Sequence, residues 1–537
     1  MCMINKIGVE NTSRINSNSR LKNVEDKSNP NFKGLGAIAL TGIQACERMP
    51  MVNVTVIDML SAILPRTIVE SMTNWFAGFE AFRRESSGLV VNCLIPSLVT
   101  LGIAKCINPA IMPKGTNMSR CWADNSLIDK ASEYYKNAGS ADKIEESLKN
   151  ILGNIEGFEG ENKILFKEAL KDDLSKYSQK LAELARSGDR DSVIRKEIKK
   201  ISAEIVDKTR VAENVKIADG KNVVNASSVH SMLEDSVKYF KEYQKSGIGI
   251  EEFAKKSKRL VRTKSLAGLA VILPLAASMQ YINRWITGKV SGVKGAPIYD
   301  DFGKEKDDVE AVAKNGLLRQ KLISISSMIG VSLLSMMKRP SMNMLEFKGM
   351  FPTMDQARII STTTFASRMA AADDKNELAE ATVRDIATFS GLYFLGDYAA
   401  KAAATAIQKK TGVVLLNETK SIGKDANALK KFWHWVKDVN IKSSEEVRGT
   451  TEKELKRARN LRSACQVANL GVSLALLGIL VPIYTRHKTK KKHEQALKLA
   501  QENKTKAENT KETKEASVTP LNVKYSKLTT GFRADNK

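Results

Sequence analysis

The chain has 537 residues, a hydrophobic content of 42% and a formal net charge of +25, with a pI near 9.6. That length allows two or three folding units, and the charge favours anionic partners such as phospholipid headgroups, nucleic acid or acidic proteins. Six cysteines (Cys2, Cys46, Cys93, Cys106, Cys121, Cys465), none spaced as C-x-x-C, and only four histidines argue against a zinc site or a disulfide framework.

Residues 1–33 are polar and rich in Asn, Ser and Lys, and are expected to be a disordered leader. The short apolar run Gly34–Ile43 ends in Ile43-Gln44-Ala45-Cys46, faintly like a lipoprotein box, but Gln44 stands where a small residue belongs. A short Gly-containing helix explains it as well. Residues 34–124 are expected to hold amphipathic helices and a first membrane span at Leu89–Ile107, since about 20 apolar residues cross the hydrocarbon as a helix. Within this region Pro65–Glu85 reads as one amphipathic helix. Ile68, Met72, Trp75, Phe76, Phe79 and Phe82 share one side, as in an interfacial helix or one packed on the protein's own core.

Residues 125–262 carry frequent charges with apolar residues at helical spacing: Phe166, Leu170, Leu174, Tyr177, Leu181, Leu184, then Ile194, Ile198, Ile201, Ile205. They predict a soluble helical bundle or antiparallel coiled coil outside the bilayer, punctuated by Gly188-Asp189 and Asp219-Gly220, and free of strands. It is also the expected contact region for protein partners. Within 263–340 a hairpin of spans is expected, Leu266–Ile282 and Leu322–Met337. Tyr281 and Trp285 mark an interface, and Ser324, Ser326, Ser327, Gly330 and Ser332 allow close packing.

In 341–407, Arg358, Arg368 and Arg384 can pair with Asp373, Asp374, Glu377 and Glu380. Ile386–Ile407 is a further candidate span, with Asp397 and Lys401 four residues apart on one face, placed to pair with each other or to serve an ion pathway. Residues 408–465 are polar and basic. They contain Lys430-Lys431-Phe432-Trp433-His434-Trp435-Val436-Lys437, where Trp433 and Trp435 could sit at a headgroup surface or pack internally. Nucleobase stacking is disfavoured because no strand-built binding fold accompanies them. The span within 466–485, Val467–Tyr484, has no charge. Arg486, Lys488 and Lys490–Lys492 follow it, which predicts a cytoplasmic tail. Residues 486–537 are too polar to fold.

The expected fold is therefore all-α: a multi-pass membrane protein with an extramembrane helical insertion and disordered termini. Five spans with a cytoplasmic C-terminus would put the N-terminus and 408–465 outside, unless Ile386–Ile407 does not cross. No phosphate loop, H-E-x-x-H or G-x-S-x-G motif occurs, and Gly34–Ala39 matches G-x-G-x-x-A without a preceding strand. No catalytic, cofactor or metal residue is expected. The sequence favours a non-enzymatic anchor or scaffold engaging anionic lipid or protein. The alternative is a transporter or channel using Asp397 and Lys401.

Overall fold

The computed structural model describes residues 42–491, except 48, 73–74, 160–161, 219–222, 292–315, 337–341, 350, 374, 419–421, 424, 450, 485–486 and 488–490. The leader 1–33, nearly all of the basic tail and the Asp219-Gly220 turn lie outside the described residues, as does most of the apolar run Gly34–Ile43.

The chain is mostly helical, and five of its helices are long and apolar enough to cross a membrane. The first, α1 (Pro50–Ser71), starts at Pro50, whose missing N–H suits a first helical turn. Next comes α2, formed by Trp75–Leu89, a π turn Val90–Leu94 and Ile95–Ile111. After an intervening module of α3–α8, described below, the other three follow: α9 (Ile250–Ser291), α10 (Leu317–Met336) and α14 (Glu452–Tyr484). α1 takes the place among the apolar crossings that the sequence assigned to Ile386–Ile407. That segment lies in α12 (Lys375–Ser390, a π turn Gly391–Leu395, Gly396–Thr411), which is not apolar enough to join the five.

Side-chain contacts fix the direction of each helix. Asn283 of α9 meets Arg83 of α2, while further along Gly268 of α9 lies against Thr100 of α2. Lys321 of α10 donates to the Ala370 carbonyl of α11 (Met354–Ala371), and Ser332 meets Thr362. Gln466 of α14 reaches Asn53 of α1, and Gly478 packs on Pro65. The α2–α9 and α10–α11 neighbours therefore run antiparallel and α1 and α14 run parallel, and α11 and α12 form a more polar pair traversing the same bundle. At one end, called the far end, lie the α1–α2 turn, the end of α9, the start of α10, the α11–α12 turn and the end of α14.

At the other end sits the predicted extramembrane module: α3 (Asn125–Asn137), α4 (Lys143–Gly153), α5 (Phe166–Leu170), α6 (Asp173–Arg186), α7 (Asp191–Thr209) and α8 (Val229–Ser246). It is not free of strands. β1 (Ile155–Glu159), β2 (Asn162–Leu165), β3 (Glu213–Ile217) and β4 (Val224–Ser228) form an antiparallel sheet in the order β2-β1-β3-β4. Ile155, Val215, Ile217 and Val224 are buried from the sheet into one core with Phe166, Leu181, Ile198 and Phe240. The predicted apolar stripe is real but belongs to two helices. Lys171 adopts positive φ between α5 and α6 and breaks the helix, while Phe166, Leu170, Tyr177 and Leu181 all stay buried in one core. Ser228 and Ser231 form a reciprocal cap that starts α8.

A second platform element follows α12, whose end is capped by Gly412 at φ +72. β5 (Leu416–Glu418) pairs with β6 (Val439–Ile441) around α13 (Ala428–Asp438). Glu446 accepts hydrogen bonds from the backbone N–H groups of Ala212 and Glu213 at 3.3 Å, so both elements stand on the same end of the bundle.

Candidate functional site

Bundle helices turn apolar side chains outward. Leu98, Leu318, Leu322, Leu334, Leu480 and Ile483 are each at least 60% exposed. Inside are polar ones: Asn53, Thr100, Ser361, Thr364, Arg368, Asp385, Gln466, Asn469 and Ser473 are all buried. A water-soluble helix has the opposite polarity. In hydrocarbon this arrangement places aliphatic groups against acyl chains and satisfies polar groups across helices. Thr364 donates to Asn92 at 2.9 Å, Tyr393 and Ser361 bond at 2.6 Å, and Asn469 donates to Asp397 at 3.2 Å. Helices approach closely where small residues allow it. A Cβ on Gly396 would stand 2.2 Å from Asn469 Oδ1, and one on Gly391 would stand 2.9 Å from Leu477.

Asp397 and Lys401 do not pair with each other. Asp397 accepts from Asn469, whereas Lys401 donates to the Val436 carbonyl at 3.3 Å and lies 4.8 Å over the Trp435 ring. Helical spacing permits the i,i+4 pair, but α13 and α14 supply better partners on either side. Both residues instead line a cavity of about 420 Å³ at the module end, together with Glu47, Asn53, Arg358, Tyr398, Ser443, Arg462 and Gln466. Asp397 has an exposed side chain because it faces this recess.

Sequence reasoning did not find Glu47, Ser443 or Arg462, which come from far-separated segments. Glu47 Oε1 and Arg462 Nη1 form a long ion pair at 3.9 Å, beyond hydrogen-bonding reach, and neither atom makes a hydrogen bond. Ser443 Oγ and Arg358 Nε are also unpartnered. Cys46 lines the same recess and is buried, so the box around it forms part of the folded bundle.

At the far end Glu85 of α2 is held by Arg66 of α1 at 3.0 Å, Arg368 of α11 at 2.9 Å and Arg84 at 3.8 Å. Arg368 also binds Asp385 at 3.2 Å, and Asp385 binds Arg384 at 3.0 Å. The predicted pairing within 354–384 is thus partly redistributed. Arg384 keeps Glu380 at 3.9 Å, but Asp373 and Glu377 both bind Arg284 of α9, and Asp374 lies outside the described residues. A small cavity of about 40 Å³ adjoins this cluster. Among the described residues no group of three His, Cys, Asp or Glu side chains could hold a metal ion.

The aromatic segments flank the two ends. Pro65–Glu85 is not one helix, since α1 ends at Ser71 and Trp75 opens α2. Trp75, Phe76, Phe79 and Phe82 are exposed at that far-end turn, with Tyr281 and Trp285 of α9 exposed at the same end. At the module end Phe432 and Trp433 of α13 are exposed. Trp435 is tied down by its Nε1 donating to Thr405 at 3.0 Å and by stacking on Tyr398.

No protein-family profile, curated protein or solved structure matches this chain.

Proposed function

We propose that this protein is a non-enzymatic, multi-pass membrane anchor. Its bundle holds a helical platform on one membrane face, where it engages anionic lipid or protein partners. The observation that carries the proposal is the aliphatic exterior of the bundle around an interior that mixes apolar clusters with buried, mostly hydrogen-bonded polar side chains. Exposed aromatic residues at both ends support it, since Trp and Tyr favour the headgroup level. The module around β1–β4 has nearly as many Asp and Glu as Lys and Arg, which suits a protein partner. The lysines beside Trp433 suit anionic headgroups. The basic residues beyond Tyr484 support a cytoplasmic tail, with the platform on the opposite face.

Full-length protein in vesicles containing brominated lipid tests this. Tryptophan fluorescence should be quenched, and the Trp433 component should be quenched more by brominated phosphatidylserine than by the choline lipid at low salt only. A chain that stays monomeric and soluble without detergent defeats the proposal.

A second reading, a transporter or channel, is favoured by one observation. Asp397 and Lys401 line a polar cavity that enters the bundle. Ion flux in proteoliposomes that is lost on Asp397→Asn would support it. Silence under all imposed gradients would remove it.

A further inference from the structure

We infer that the module-end cavity binds a small zwitterion, a molecule carrying an amine and an acidic group a few ångströms apart. Three features of the site lead there. First, it is built from buried groups with atoms left short of hydrogen bonds. Arg462, Glu47 and Ser443 are all more than nine-tenths buried, yet Arg462 Nη1, Glu47 Oε1 and Ser443 Oγ make no hydrogen bond. Such groups are costly to leave unmet in a protein interior, and they share one recess of about 420 Å³, a usual size for a small-molecule site.

Second, the ionisable lining is charge-balanced. Arg358, Lys401 and Arg462 stand against Glu47, Asp397 and Glu213. A simple anion would meet the arginines but face Glu47 and Asp397. A simple cation would do the reverse. A zwitterion places its acidic group on Arg462 Nη1, Ser443 Oγ and Arg358 Nε, and its ammonium towards Glu47 Oε1 and Asp397. Third, the rest of the wall is apolar or aromatic, with Leu392, Phe394, Tyr398 and Val436, so an aliphatic substituent has somewhere to lie. The same chemistry is carried by a free amino acid and by an ethanolamine-phosphate headgroup.

The site goes beyond the anchor reading, because binding requires neither a protein partner nor transport. The full-length protein in detergent micelles is followed by thermal unfolding with four separate probes at 10 mM. These are L-leucine, phosphoethanolamine, L-leucinamide (cation only) and 4-methylpentanoate (anion only). If the dissociation constant is near 1 mM, the two zwitterions raise Tm by about 1–3 °C, and the two single-charge probes do not. Leucine alone or phosphoethanolamine alone identifies the source, and either supports the inference.

Ser443→Ala removes a hydroxyl that bonds to nothing in the chain. It leaves the unliganded Tm near the parent value and reduces the shift. Asp397→Asn does so from the ammonium side. Absence of a shift with either zwitterion overturns the inference. So does an equal shift with the single-charge probes, or a zwitterion shift that survives both substitutions unchanged.

Discussion

Replacing Glu85 with Gln tests whether the far-end ion cluster holds the bundle together. Glu85 is contacted by guanidinium groups at 2.9, 3.0 and 3.8 Å from three helices. At an effective dielectric of about 20, each of the two close contacts represents roughly 5 kcal/mol of gross attraction. Most of that offsets the desolvation of four charged groups. What remains on removing one partner is about 3–5 kcal/mol, because buried arginines lose their counter-charge. The adjoining 40 Å³ cavity has room for water, which places the expectation for Glu85→Gln near 3 kcal/mol. For a protein of this size that corresponds to a fall in Tm of roughly 3 °C, measured in detergent by intrinsic fluorescence. Arg368→Gln alone should cost a comparable amount. The double variant should be less destabilised than the sum by at least 1 kcal/mol. Additivity within error would show that the two residues do not share one network, and the account of the far end would fall.

Gly396→Ala should destabilise the α12–α14 contact by about 1–3 kcal/mol, because its Cβ would enter the space of Asn469 Oδ1; an unchanged Tm would mean that the helices stand further apart. Single cysteines placed at Arg190 and Lys430 in a Cys2→Ser, Cys106→Ser background, where the remaining cysteines are buried, should label from the same side of sealed vesicles, and one at Asp373 from the other. Opposite labelling of the first two refutes the bundle topology. Burial pushes the Asp235 carboxyl up to about 7 from its ordinary 3.8. Its ionisation is thus disfavoured in the folded module, so its contribution to stability declines as pH rises from about 4 to 7 and is constant above. The slope is at most about 1.4 kcal/mol per pH unit. Asp235→Asn keeps an acceptor for the Trp122 N–H, seen at 2.8 Å, and should gain stability relative to the parent as pH increases. A pH-independent difference between the two proteins contradicts this.

Much of the bundle is legible from hydropathy. Four of the five apolar crossings coincide with apolar runs recognisable in the sequence, such as the uncharged Val467–Tyr484. α1 escaped because its apolar first half is followed by Arg66 and Glu70, and the aromatic pattern continues past its end to Glu85. The π turn at Asp58–Ile63 also disturbs the usual periodicity. The sheet was missed for a different reason. Asp219-Gly220 is as good a hairpin signal as a helix terminator, and strands of four or five residues offer little period-two pattern to outweigh it. The cavity was only half legible. Asp397 and Lys401 stand out as charges in apolar sequence, but Glu47, Ser443 and Arg462 look like ordinary surface residues until α14 brings them together. The Glu85 cluster is the same kind of case, since its partners lie on α1, α2, α11 and α12.

The polar pair α11–α12 also bears on the topology that charge counting left open. The β1–β4 module and the β5–β6 element are joined by hydrogen bonds from Ala212 and Glu213 to Glu446, so they occupy one end of the bundle. Five alternating spans that include Ile386–Ile407 would place those two regions on opposite sides. The contradiction disappears because α11 and α12 run out and back as a pair, with Arg368 on Asp385 and Ser361 on Tyr393 holding them together. A pair that goes out and returns leaves the sidedness of everything after it unchanged. Such a pair can be more polar than its neighbours because α1, α2, α10 and α14 pack around it. Its arginines and carboxylates are neutralised against other helices, where lone charges in hydrocarbon would be costly. Basic residues flanking both ends of the bundle then cease to be a puzzle. Those before α9 and those after α14 lie at opposite ends of the bundle, and the interior charges of α11 and α12 belong to packing.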